Sequence, residues 1–206
     1  MRQAIGAWES GDKRRSKDVG RALDLMLATG VRIGEVLGLR WQDVDLATTP
    51  ATVTIAGAEN WNSEEGHHRQ DARKGHAQRG DDGLTLAIPS WATALLLEQR
   101  IAAGASEHVF PSRNGTLRSQ NNFRTSLRKA LVGTGFEGHV TPHVMRSTVA
   151  TTVERAAGIV AASAQLDHSE TAVTMRHYIA KPSVAPDRSA ILESLAPEPT
   201  VVPVEG

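Results

Sequence analysis

The stretch "ATGVRIGEVLGLRW", Ala28 to Trp41, decides how the chain is read. Leu23, Met26 and Leu27 before or at its edge, and Ile33, Val36 and Leu37 within it, recur at steps of three and four, the period of one helical face. Thr29 and Gly30 interrupt that period, so two helices are predicted to meet at a tight joint. On the second helix Arg32 and Glu35 stand three apart on one face, while Ile33, Val36 and Leu37 supply the buried one. Such a pair is either a surface ion pair or a guanidinium fixed by a carboxylate on a rigid support, which is how a protein aims a phosphate clamp.

Outward from this stretch, "ATVTIAGAE" from Ala51 and "LTLAIP" from Leu84 are β-branched or alternating and predict two paired strands. The polar insertion between them, Glu59 to Gly83, cannot bury itself and predicts a mobile hairpin tip. Helices are expected from Ser90, read as an N-cap, and from Gln120 to Val132 with Phe123, Leu127, Ala130 and Leu131 on one side. Thr141 and Pro142 sit at cap and first-turn positions of the next helix, which puts His143 in its opening turn. Shorter helices follow over Ile159 to Leu166 and Glu170 to Tyr178, then an amphipathic turn, "RSAILESL", and a Pro-rich tail. The expected fold is mostly α with a small antiparallel β-sheet, an α+β arrangement. Residues 1–19 read as a polar leader that is exposed or weakly packed, 20–182 as one folded domain, and 183–206 as a C-terminal amphipathic segment and tail.

Charge is balanced, 23 basic against 23 acidic residues, which leaves room for a local basic face and no general polycationic coat. With no cysteine, disulfides, thiolate metal sites and thiol nucleophiles are excluded. No apolar run is long enough for a membrane span or a signal peptide, so a cytoplasmic protein is expected. His67, His68 and His76 lie in the insertion without the carboxylate spacing of a zinc or two-metal centre, so no metal site is expected there.

The chemistry gathers in three places. Beside Arg32 and Glu35, "TPHVMRS" sets His143 and Arg146 at i and i+3 on a helix start. Cations at the positive end of a helix are electrostatically misplaced unless an anion joins them. Third, "LDHSETAVTMRHY" carries His168 and, ten residues on, Tyr178, the single tyrosine of the 206-residue chain.

The order arginine, His-x-x-Arg, histidine, tyrosine resembles the catalytic domain of the tyrosine recombinases, the phage-integrase family, over about Arg21 to Lys181. "ATGVRIGEVLGLRWQDVDL" is similar to the family's first arginine box, and "TPHVMRSTVAT" with "LDHSETAVTMRHY" to its second. The resemblance implies Arg32 and Arg146 as phosphate-binding arginines, Glu35 as support for the first, and His143 as acid/base. It further implies His168 as a phosphate-contacting residue and Tyr178 as nucleophile. The family carries a catalytic lysine on a β-hairpin between the boxes. Among Lys13, Lys17, Lys74, Lys129 and Lys181, Lys74 is the one in the predicted hairpin, though "GHAQRGDDG" after it is longer than the usual turn. Two positions depart from the pattern: Ser147 stands where many members have histidine, and Asp167 where glycine is usual.

The function so implied is site-specific recombination of double-stranded DNA through a 3′-phosphotyrosine intermediate, in integration or excision of a mobile element. The covalent link conserves the phosphodiester's energy, and the chain has no G-x-x-x-x-G-K-[ST] loop, so no cofactor is expected. The family's N-terminal core-binding domain is expected to be absent, and assembly as a homo-tetramer on DNA is implied, with Ile191, Leu192 and Leu195 as contacts to a neighbouring subunit. Two alternatives stand beside this reading: an inactive DNA-binding remnant without its clamp domain, and a type IB topoisomerase-like strand transferase.

Overall fold

The computed structural model describes residues 1–71, 83–167 and 187–197. Its axis is α2 (Val19–Thr29), in which every residue from Ala22 to Thr29 is buried. Around it pack α1 (Arg2–Ser10), α3 (Ile33–Gly38), α4 (Ser90–Ala103), α5 (Gln120–Leu131), α6 (Pro142–Leu166) and α7 (Ser189–Leu192). Each fully buried Leu or Met of α2 contributes about 1.5–3 kcal/mol of apolar burial, so this helix is the main source of cohesion.

Strands β1 (Val44–Asp45), β2 (Thr52–Ile55) and β5 (Leu84–Ala87) form one antiparallel sheet in the order β1-β2-β5, with Val53 opposite both Val44 and Leu86. Val53, Ile55, Leu84 and Leu86 face the core, so the alternation seen in the sequence is the alternation of the sheet. The helices expected over 120–132, from Pro142, and over 159–166 are present, the first ending at Leu131, and Phe123, Leu127, Ala130 and Leu131 are the buried side of α5. The helix expected from Glu170 to Tyr178 lies outside the described residues.

Four expectations are corrected. The first residues are no loose leader: Ile5 of α1 is fully buried, and Arg2 Nε lies 2.8 Å from the buried Asp24 carboxylate of α2. The described part of the insertion is a second, two-stranded antiparallel sheet, β3 (Ala58–Asn62) with β4 (Gly66–Gln70). It is anchored by one inward face, the cross-strand pair Glu59 and Arg69, which a reading of mean polarity misses. Ser90 is not the cap of α4. Pro89 is, and Ser90 gives its amide (2.5 Å) and hydroxyl (2.8 Å) to Glu193 Oε1.

That last contact belongs to the fourth correction. Leu192, expected to face a neighbouring subunit, is fully buried with Val149, Val153 and Leu166 of its own chain. Leu195 packs beside it, and Arg2 Nη2 donates to Leu195 O at 3.1 Å. The apolar side of α7 therefore finds its cover in cis.

The glycines of the opening stretch explain how these parts meet. Gly30, at φ 78°, ends α2 in the left-handed conformation, and a Cβ there would stand 2.6 Å from Leu166 Cδ2 and 2.9 Å from Val149 Cγ1. Gly34 and Gly38, one turn apart on α3, are where β3 lies down. A Cβ on Gly38 would be 2.9 Å from the Ala58 backbone, and one on Gly34 would be 2.9 Å from Glu59 O.

Candidate active site

The Thr29–Gly30 joint is a docking point for α6. Arg146 Nη1 donates to Gly30 O at 2.6 Å and Gln165 Nε2 to Thr29 O at 2.8 Å. Because α6 kinks at Gly158, its far end returns, and Arg146 Nη2 donates to Leu166 O at 2.6 Å. Arg146 is thereby fixed by two backbone carbonyls at a helix end, with its charge buried. Desolvation, with Arg32 as the next cause, lowers its pKa to about 10, against opposition from Glu35 and Asp167. At neutral pH it remains a cation, held with less compensation than water would give, which is the state an added anion relieves.

Arg32 is fixed differently. Its backbone amide donates to Glu35 Oε2 at 2.6 Å and its Nη1 to Glu35 Oε1 at 3.0 Å, so one buried carboxylate caps α3 and orients the guanidinium. The pair read from the sequence is thus a half-buried clamp and not a solvated surface pair. His143 stands exposed in the first turn of α6, behind Thr141, whose Oγ1 accepts from Val144 N at 3.3 Å. Arg32, Glu35, His143 and Arg146 all line one groove of about 1190 Å³.

A second wall of that groove is formed by residues that the sequence reading does not single out. It is made by Asn60 and Gln70 of the β3–β4 hairpin and by Asn121, Arg124, Thr125 and Arg128 on one face of α5. Buried Glu59 joins these two pieces: its Oε1 lies 2.9 Å from His67 Nδ1, its Oε2 accepts weakly from Gln120 N at 3.4 Å, and its carbonyl accepts from Gln120 Nε2 at 3.0 Å. Only the spacing of 121, 124, 125 and 128, a polar helical face beside a buried one, signals this wall in the sequence. The arginines give the groove a local positive lining in a chain of zero net charge.

Asp167 ends α6 at φ 52°, the left-handed conformation for which glycine is the usual residue; Asp is among the few side chains that tolerate it. Lys74, His168 and Tyr178 lie outside the described residues, so the structure brings together Arg32, Glu35, His143 and Arg146 of the sequence-predicted set. Among the described residues no group of His, Asp and Glu is placed to hold a metal ion, and no helix is long and apolar enough to cross a membrane.

The model of the phage integrase family matches residues 7–183. Similar curated proteins include the tyrosine recombinase XerC of Xanthomonas campestris pv. campestris (strain B100), 28% identical over 154 residues that cover 74% of this chain and 41% of that protein. The XerC of Xanthomonas axonopodis pv. citri (strain 306) is 30% identical over 155 residues, 74% of this chain and 43% of that one. The chain therefore spans about two fifths of the length of the curated relatives it matches. Among solved structures, a Tn1549 transposon integrase in complex with transposon right end DNA superposes with a TM-score of 0.65 at 19% identity, covering 94% of this chain and 62% of that one. The XerA recombinase does so with a TM-score of 0.57 at 19% identity, covering 94% and 61%. At those identities the likeness is one of fold. With Arg32 and Arg146 lining one groove and the family model matching residues 7–183, the chain belongs to the phage integrase family.

Proposed function

We propose that the chain carries the strand-cutting and strand-joining chemistry of a site-specific tyrosine recombinase acting on double-stranded DNA. The observation that carries this reading is the convergence of two immobilised guanidiniums on one groove. One is held by the Glu35 carboxylate and the other by the carbonyls of Gly30 and Leu166, with His143 at the groove's helix end.

In this reading Tyr178 attacks phosphorus. The phenolic oxygen–phosphorus bond forms, the bond from phosphorus to the 5′ oxygen breaks, and a 3′-phosphotyrosyl link remains. His143 takes the phenol proton, and Lys74 gives a proton to the departing 5′ oxygen. Making phenolate at neutral pH costs about 4 kcal/mol from a pKa of about 10. A cation about 4 Å away at an effective dielectric near 20 offsets about 4 kcal/mol, so the arginines are of the required size before desolvation is subtracted. Arg32, Arg146 and His168 hold the non-bridging oxygens, and because their donors are fixed beforehand, little reorganisation is needed as charge develops. Rejoining reverses the step with a new 5′ hydroxyl, so no nucleotide cofactor enters.

The further parts of the reading are a cytoplasmic enzyme of a mobile element, integrating or excising DNA, and assembly into a homo-tetramer on DNA. The test is a nicked suicide duplex carrying the element's end. The wild-type chain is expected to form a denaturation-resistant protein–DNA adduct that Tyr178→Phe does not form. Adduct yields that are equal in the two proteins, or nil in both, overturn the assignment for this chain.

A further inference from the structure

A groove that receives phosphate gains nothing from a bare carboxylate, yet two buried ones, Glu35 and Glu59, line it. Glu35 is accounted for, because both its oxygens hold Arg32. Glu59 stands across the strands from Arg69, and its carboxylate meets His67 Nδ1 at 2.9 Å and, weakly, Gln120 N at 3.4 Å; the Gln120 side chain is held by the backbone carbonyl of Glu59, on the strand that the Gly34 and Gly38 face of α3 receives. Gln120 passes the constraint on. Its Nε2 is committed to Glu59 O at 3.0 Å, which turns its Oε1 outward to accept from Arg124 Nη2 at 2.8 Å. Gln120 has no room on the other side, since a single added carbon on Gly34 would sit 2.8 Å from its Nε2.

We propose that Gln120 is a positioning residue for DNA binding: seated on the backbone carbonyl of Glu59, it aims Arg124 at a backbone phosphate of the duplex lying in the groove. The proposal rests on the reading of the groove as a DNA site. The Gln120 amide is interposed between a β3 backbone carbonyl and the arginine. Arg124 is otherwise an exposed side chain on a helix surface, and fixing one of its nitrogens removes rotamer freedom that phosphate binding would otherwise have to remove.

The experiment measures the affinity of the chain for a labelled mixed-sequence DNA duplex across a salt series, in a Tyr178→Phe background so that no covalent step enters. Arg124→Ala is expected to weaken binding about tenfold at low salt and to flatten the log–log salt slope by about 1. Gln120→Met, which keeps the side chain's volume without its amide, is expected to flatten the slope by the same amount, with no further flattening in the Gln120→Met/Arg124→Ala double variant. Gln120→Ala repeats the test with no side chain left to reach Arg124. A Gln120→Met or Gln120→Ala protein with the unaltered slope, or a double variant whose losses add, overturns the proposal. An Arg124→Ala slope equal to that of the parent also overturns it while leaving the DNA reading intact. A parent chain that binds no duplex takes down both.

Discussion

The two walls of the groove hold their arginines by different routes. On the α3 and α6 side, Arg32 meets Glu35 within one helical turn, and Arg146 meets Gly30 O at the joint between α2 and α3. On the hairpin and α5 side, Arg124 is tied to the hairpin only through Gln120, whose side chain is held by the backbone carbonyl of Glu59, 61 residues away. The first wall is rigid because its arginines are themselves gripped, one by a carboxylate three residues away and the other by two backbone carbonyls. The second is rigid only as long as β3 stays seated on α3. The proposed reaction gives the difference a reason: donors to a developing charge must be fixed beforehand, whereas a phosphate away from the reacting bond needs only to be held.

The largest effect tests the first wall. Arg146→Ala is expected to slow adduct formation on the suicide duplex by about 10²–10³-fold, the usual cost of one lost donor to a transition-state oxygen. It also leaves Gly30 O and Leu166 O without their donor, so unfolding in denaturant is expected to show a loss of about 1–3 kcal/mol. Arg124→Ala is expected to leave adduct formation at saturating DNA close to the parent's rate. Equal losses from the two substitutions would erase the distinction between the walls. Next comes the seam between them. Gly34→Ala drives a methyl group against Gln120 Nε2 and Glu59 O, and an overpacked contact of this kind costs about 1–3 kcal/mol. Both walls are expected to suffer, with slower cleavage and a flatter salt slope in one protein.

What the sequence disclosed follows the same division. Arg32 and Glu35, or His143 and Arg146, are legible because helical spacing places i and i+3 on one face whatever the rest of the chain does. The core was legible for a similar reason: Leu23, Met26, Ile33, Val36 and Phe123 are buried where their periods place them. Glu59 was not, since one acidic residue in "GAENWNSEEGHHRQD" looks like its solvated neighbours until Gly34 and Gly38 are seen to receive the strand. Ile5 was passed over because charged residues surround its helix, and Leu192 because nothing local says which surface covers an amphipathic turn. Each of these is a long-range packing fact. A neighbour's identity, not the residue's own propensity, decides it.

The smallest effect asks whether the second wall's rigidity begins at the hairpin or at α5. His67 is half-exposed and contributes one contact to Glu59, at 2.9 Å, from the opposite strand. His67→Ala removes that contact and leaves Gln120 in place, so a stability loss of about 0.5–1.5 kcal/mol is expected in denaturant unfolding. The remaining acceptances of Glu59, from Gln120 N and through its carbonyl from Gln120 Nε2, still turn Gln120 Oε1 toward Arg124. The salt slope of DNA binding should therefore stay that of the parent while stability falls. A flattened slope would mean that the hairpin's own cross-strand contact sets the arginine, and the support for Arg124 would then begin in β4 and not at Gln120.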